Sequence, residues 1–130
     1  SMAAGQVFAD DTNSTNEENS IASLQVSGTK NDVTLNENIS STKAGAVGIL
    51  IEGLRNKITI PKGTAINLRG LNSTGILIAD GYGHTLDIFG DIFATGNAVE
   101  FNFSGDEFNR ALVDNFNLRG KITGQEISRG

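Results

Sequence analysis

Apolar residues along this chain recur two apart, in short runs divided by glycine, asparagine and aspartate. Leu24 and Val26, Ile49 and Ile51, and Ile76 and Ile78 are spaced in this way. That is the period of a strand, in which alternate side chains share a face. The tetrapeptide GILI occurs twice, at Gly48–Ile51 and Gly75–Ile78, 27 residues apart (75 − 48). Both copies are apolar throughout, whereas a half-exposed strand alternates apolar with polar.

The recurrence extends beyond the tetrapeptide and divides the chain after residue 20 into four units: Ser23–Gly45, Ala46–Asn72, Ser73–Gly96 and Asn97–Gly124. Each holds three strand-like pieces. In the first piece Leu24 and Val26 match Ile49 and Ile51, then Ile76 and Ile78, then Phe101 and Phe103. In the second, Val33 and Leu35 match Ile58 and Ile60, Leu86 and Ile88, and Phe116 and Leu118. In the third, Ile39, Ile66, Ile92 and Ile122 correspond. Thr34, Thr59, Asp87 and Asn117 fall between matched apolar residues, in one polar column. Three short strands per unit, with glycine at the corners, predict an all-β chain coiled into a parallel β-helix of about four to five coils. Matched residues then stack into inward ladders at the strand spacing of about 4.8 Å. Parallel crossovers are almost always right-handed, so the coil is expected to be too. A left-handed hexapeptide helix needs a tighter repeat, and a sandwich would not align four units column by column.

Between Phe103 and Phe116 lie 12 residues, longer than in the other units. In this stretch Ser104 stands three before Glu107, a capping-box spacing, and Phe108 and Leu112 are four apart. The insert Ser104–Asn115 is therefore expected to be a helical turn or long loop projecting from one corner. Asp106, Glu107, Phe108 and Arg110 are its candidate recognition residues. A cap over the open core is the competing role for Phe108 and Leu112.

Composition narrows the rest. The chain has 130 residues, enough for one domain, with 16 glycines, one proline and no cysteine. A net charge of −5 argues against a nucleic-acid surface, which needs clustered cations. Without cysteine there is neither disulfide nor thiolate metal site. No run reaches the roughly 18 apolar residues of a membrane span. Ser1–Met2 reads as a cloning remnant, and Val7–Ala9 has the shape of the end of a secretory cleavage site. Residues 10–20 carry no apolar side chain, so residues 1–20 are expected to be a flexible polar lead-in and 21–130 the repeat domain.

Candidate chemistry is sparse. Asp87 and Asp91 are expected to face outward near Arg119 and Lys121, as a small charged sugar-binding face or as ordinary ion pairs on a solvated wall, each worth at most about 1 kcal/mol. His84, the single histidine, lies in the turn Gly81–His84 and is read as a turn histidine, with no partners arranged as a catalytic triad. Arg55, Lys57, Lys62 and Arg69 are read as having neither an aromatic platform nor a glycine-rich phosphate loop, and are expected at solvated corners and not at a phosphate site. No catalytic residue, cofactor site or metal site is assigned. If the isoleucines of GILI point inward, Leu50 and Leu77 point outward on adjacent coils, with Gly48 and Gly75 in the same outer column. Together with Phe89 and Phe93 these leucines are the candidate interaction residues, for self-association or for the N-terminal segment around Val7–Phe8 folding back.

The stretches "TGNAVEFNFSG" and "FNLRGKITG", with "FGDIFATG" and "RGKITG" closing successive units, resemble the coils of bacterial autotransporter passenger domains. The resemblance covers roughly Ile21 to Gly130. It implies a surface-exposed right-handed β-helix, secreted to the outer surface of a Gram-negative bacterium by a C-terminal membrane barrel. It also implies roles in adhesion, virulence and self-association, or a stalk bearing a separate enzyme. No barrel is present here, and "QEISRG" reads as the start of a fifth coil, so a fragment of a longer passenger is expected. None of the enzyme-bearing members' catalytic residues has a counterpart. The function expected is a non-enzymatic scaffold or adhesin segment with a host or bacterial surface ligand. The alternative from another class is a polysaccharide-binding or -degrading β-helix, like a lyase or a tailspike.

Overall fold

The computed structural model describes residues 6–9, 22–102, 113–125 and 127–128. All regular structure among them is strand: β1 (Gln6–Ala9), β2 (Ala22–Ser27), β3 (Asp32–Thr34), β4 (Ile39–Ser41), β5 (Val47–Ile51), β6 (Lys57–Ile60), β7 (Ala65–Leu68), β8 (Thr74–Ile78), β9 (His84–Ile88), β10 (Asp91–Ala94), β11 (Val99–Phe101), β12 (Val113–Leu118), β13 (Ile122–Thr123) and β14 (Ile127–Ser128). They form three sheets, ordered β1-β2-β5-β8-β11-β14, β3-β6-β9-β12 and β4-β7-β10-β13. The chain visits the three sheets in rotation, and each return lands on the next strand of the same sheet. The result is a parallel β-solenoid of about three turns. Of the described strand pairs only β1 with β2 is antiparallel, with Val7 opposite Val26. Gln6–Ala9 therefore extends the first sheet at its edge. Residues 10–20 of the expected lead-in lie outside the described residues.

The inward columns run as the hydrophobic period predicts through the second and third sheets. Val33 aligns with Ile58, Leu86 and Phe116; Ile60 with Ile88 and Leu118; and Ile39 with Ile66, Ile92 and Ile122. The polar column Thr34, Thr59, Asp87 and Asn117 is also in register. Apart from Leu118, which is exposed, these inward side chains form one continuous core with Ile49, Ile51, Ile76 and Ile78, and those four isoleucines are fully buried. Removing a side chain of that size from water stabilises the fold by about 1.5–3 kcal/mol.

Two expectations about the last unit are corrected. In the last unit Val99 pairs with Ile76 and Phe101 with Ile78, so the matching residues are Val99 and Phe101, two positions before Phe101 and Phe103. A period of two cannot detect a slip of two. The register is set instead by small residues at the corner, where a Cβ on Gly48 would press on the Gly75 carbonyl and one on Gly75 on the Ala98 carbonyl. The second correction is to the insert. Val113, Asp114 and Asn115 belong to β12, with a register irregularity between Val113 and Asn115. Asp106, Glu107, Phe108 and Arg110, with Leu112, lie outside the described residues.

The same corner explains the unbroken apolar run. A Cβ on Gly48 would stand 2.9 Å from Ile66 Cγ2, and one on Gly75 2.6 Å from Ile92 Cγ2, so both glycines face the core and not the outer column. Gly48 and Ile49 are thus consecutive inward positions. Val47 and Leu50 fall on the other face, where they form a separate apolar cluster with Ala22, Leu77 and Ala79.

Because the ladders carry the stability, Ile78→Asp is expected to abolish folding by burying a carboxylate among aliphatic groups. Asp87→Asn, on the outer face of β9, is expected to change stability by less than about 1 kcal/mol. Urea unfolding followed by circular dichroism compares the two, and equal losses would overturn the inward and outward assignment.

Candidate functional site

Two neighbourhoods gather the polar side chains. The first is the corner between the first and second sheets, where three five-residue turns are superimposed: Ser27–Asn31 (SGTKN), Glu52–Asn56 (EGLRN) and Asp80–His84 (DGYGH). Their second residues, Gly28, Gly53 and Gly81, have φ of 96°, 87° and 87°, and their fourth, Lys30, Arg55 and Gly83, have φ of 57°, 54° and 76°. Two left-handed residues per turn explain the glycines. At the fifth residue a polar ladder climbs from turn to turn. Asn31 N–H donates to Asn56 Oδ1 (2.9 Å), and Asn56 N–H donates to His84 Nδ1 (3.2 Å). Each rung also holds a carbonyl of its own turn: Asn31 Nδ2 donates to the Ser27 carbonyl and Asn56 Nδ2 to that of Glu52, both at 2.6 Å, and His84 Nε2 lies 3.0 Å from that of Asp80. His84 thus stands in for asparagine, and the Nε2–H tautomer satisfies both of its bonds. Its side chain is fully buried, so it is a structural rung and not a turn histidine facing solvent. The signal was the pair of asparagines at the same offset after glycine.

Other polar groups are spent in the same way. Ser73 Oγ donates to the Leu68 carbonyl and accepts from Thr95 N–H, while Thr95 Oγ1 donates to the Gly70 carbonyl. Gly53 N–H donates to Asp80 Oδ1 (3.0 Å), and Ala65 N–H to Asn38 Oδ1 (2.8 Å). Asp87 takes Asn117 Nδ2 at 2.7 Å and pairs with Lys57 at 3.8 Å. The partner of Asp87 is therefore Lys57, one coil back, and not Arg119 or Lys121.

The second neighbourhood is the opposite corner, between the second and third sheets. There Lys62–Ala65, Phe89–Asp91 and Arg119–Lys121 line one groove of about 630 Å³. The backbone sets its shape. Phe89 N–H donates to the Ile60 carbonyl and Arg119 N–H to that of Ile88, so Arg119 stacks one coil beyond Phe89. Lys121 N–H donates to Asp91 Oδ1 (3.1 Å), which places Lys121 one coil beyond Asp91. Between the two columns stand Gly90 and Gly120. A Cβ on Gly90 would overlap the Thr64 carbonyl and one on Gly120 the Gly90 carbonyl, so this strip must remain bare backbone. The groove brings together Lys62, Arg119, Lys121 and Asp91 with Phe89, which is 41% exposed.

The remaining candidates are spread over the solenoid. Leu50 and Leu77 share the outer cluster of the first sheet, but Leu50 is only 6% exposed and packs against Ala22 and Val47. Phe93 lies on the third sheet with the Arg69 guanidinium 5.1 Å from its ring centre, while Arg55 approaches the Tyr82 ring at 5.8 Å. Among the described residues no group of three His, Cys, Asp or Glu is placed to hold a metal ion.

Compared with protein-family models, with curated proteins and with solved structures, the chain matches none.

The asparagine ladder yields a directional test. His84→Asn restores the side chain used in the other two turns and is expected to hold stability within about 1 kcal/mol. His84→Leu leaves Asn56 N–H and the Asp80 carbonyl buried without partners, each costing about 1–3 kcal/mol. Thermal melts of the two variants separate these outcomes.

Proposed function

We propose that this chain is a non-enzymatic scaffold segment that presents an outer surface for binding. The single observation that carries the proposal is the use made of its reactive side chains. The only histidine, the two ladder asparagines, Ser73, Thr95 and Asp80 are all engaged in bonds that hold one coil to the next or close a turn. Groups committed to stacking are not free to move protons or attack a substrate. Among the described residues, the outer face of the first sheet holds an apolar cluster with Leu77 and Ala79 partly open, and the far corner holds the cationic groove.

The finer reading is a right-handed helix of four to five coils belonging to a secreted, surface-exposed passenger of the autotransporter kind. It is supported by the regular three-strand rotation, the absence of cysteine and the motifs closing each unit. On that reading it works outside a Gram-negative cell as an adhesive or supporting element. Self-association through the leucine strip would involve Leu77 more than Leu50, since Leu50 is already buried. The rival reading, a glycan-degrading β-helix, would require an acid and a base free to act on a sugar.

Incubating the purified chain with acidic and neutral polysaccharides should release no reducing ends and no unsaturated uronate. Release of either by the wild type would overturn the scaffold reading. On the first sheet, Leu77→Lys is expected to lower stability by less than Leu50→Lys, because only the second change buries an ammonium group. Light scattering across a concentration series, with Leu77→Lys as the control, reports whether the strip joins copies of the chain.

A further inference from the structure

We infer that the groove between Lys62, Phe89, Arg119 and Lys121 binds an acidic sugar, a pyranose bearing a carboxylate, as a unit of a longer glycan. The inference rests on the scaffold reading only in that the ligand is held and not cleaved.

Charge is the first reason. The protein carries −5 overall, yet three of its ten cationic side chains converge on this one groove, which holds a single carboxylate. None of the three forms an ion pair among the described residues, where the one salt bridge is Lys57 with Asp87. Lys62 stands 57 residues before Arg119 (119 − 62) and meets Arg119 and Lys121 only through the coiling. An arginine beside a lysine, open to solvent, suits a carboxylate, which the guanidinium can grip with two parallel bonds.

The other side chains decide between a bare anion and a sugar. Asp91 gives one oxygen to Lys121 N–H and lines the groove as an acceptor. It repels any anion set against it, so the ligand's carboxylate belongs beside Arg119, while Asp91 accepts hydrogen bonds from hydroxyls and Thr64 adds a hydroxyl that donates or accepts. Phe89 presents an apolar ring on the wall next to Arg119, useless to an inorganic ion but suited to the apolar C–H face of a pyranose. Gly90 and Gly120 separate the Phe89–Arg119 and Asp91–Lys121 columns with backbone alone, since the closely stacked coils admit no side chain at either position. The volume falls within the range of small-molecule sites. A ligand carrying an anion, several hydroxyls and an apolar face uses every one of these groups, and an acidic sugar is that ligand.

Isothermal titration of the whole chain with an oligogalacturonate tests the assignment, with a neutral galactan oligomer, a sulfated oligosaccharide and inorganic phosphate as separate arms. Saturable binding of the oligogalacturonate, weakening as salt is raised, is expected, with no binding of the galactan. The double variant Arg119→Gln with Lys121→Gln should weaken it by about tenfold or more, and Phe89→Ala by about threefold, at the scale of one lost interaction each. Lys43→Gln, at an exposed turn away from the groove, should leave affinity unchanged. Far-UV circular dichroism confirms that each variant keeps its strand signal, and Lys62→Gln, in a third turn, provides an independent reading if either of the others loses it. Failure of the oligogalacturonate to bind, or equal affinity in the double variant, would overturn the site. Equal or tighter binding of phosphate would reduce it to a bare anion patch, and binding of the sulfated or neutral oligomer alone would refute the carboxylate. Binding without release of reducing ends supports the groove and the scaffold reading together. Binding with release would retain the groove and reject the scaffold.

Discussion

Everything in this fold depends on how closely successive coils approach at their corners. Strands in a sheet lie about 4.8 Å apart, and that spacing must hold through the turns as well as the straight pieces. At the first corner a Cβ on Gly53 would overlap the Gly28 carbonyl, and one on Gly81 the Gly53 carbonyl. The backbones there are in contact, so these turns accept only glycine at that rung. Once the corners stack, the register of all three sheets is fixed, and the apolar columns follow.

The polar ladder beside those glycines completes the constraint. A turn that buries backbone N–H groups must supply acceptors for them. Asn56 and His84 do this from the next coil, each also tying down a carbonyl of its own turn. The ladder has a direction, since each side chain accepts from the turn before it. Asn31, at the first rung, has an Oδ1 that takes no hydrogen bond. The same economy bears on function. Asn56, His84, Ser73 and Thr95 are held in bonds between coils, which supports the proposed scaffold role.

Outside the ladders, two regions of the described residues bear on binding. The first sheet carries an apolar outer cluster around Leu50, and the corner between the second and third sheets gathers cations around Phe89. The groove is a product of stacking alone. Lys62, Phe89 and Arg119 come from three successive turns of the same corner, and each turn by itself would read as a solvated bend.

The sequence by itself determined the class of fold and most of its register. Isoleucines two apart and units of similar length leave few arrangements that bury both members of every pair, and the second and third sheets align as the period requires. It did not determine the register of Val99 and Phe101, because alternation repeats every two residues and a slip of two looks identical. Only the contact of Gly48, Gly75 and Ala98 at a corner decided it. Leu50 and Leu77 on the outer face were legible from period two, but the inward turn of Gly48 and Gly75 was not, since it breaks that period. His84 as an asparagine surrogate was hidden because the substitution preserves the placing of one acceptor and one donor and not the residue type. The groove was legible in part, since aligning the units set Asp91 near Arg119 and Lys121; the arrival of Lys62 from a third turn was not, because it depends on contacts between residues far apart in the chain. Local pattern records which side chains must be buried, whereas the meeting of distant polar groups is a property of the stacked coils.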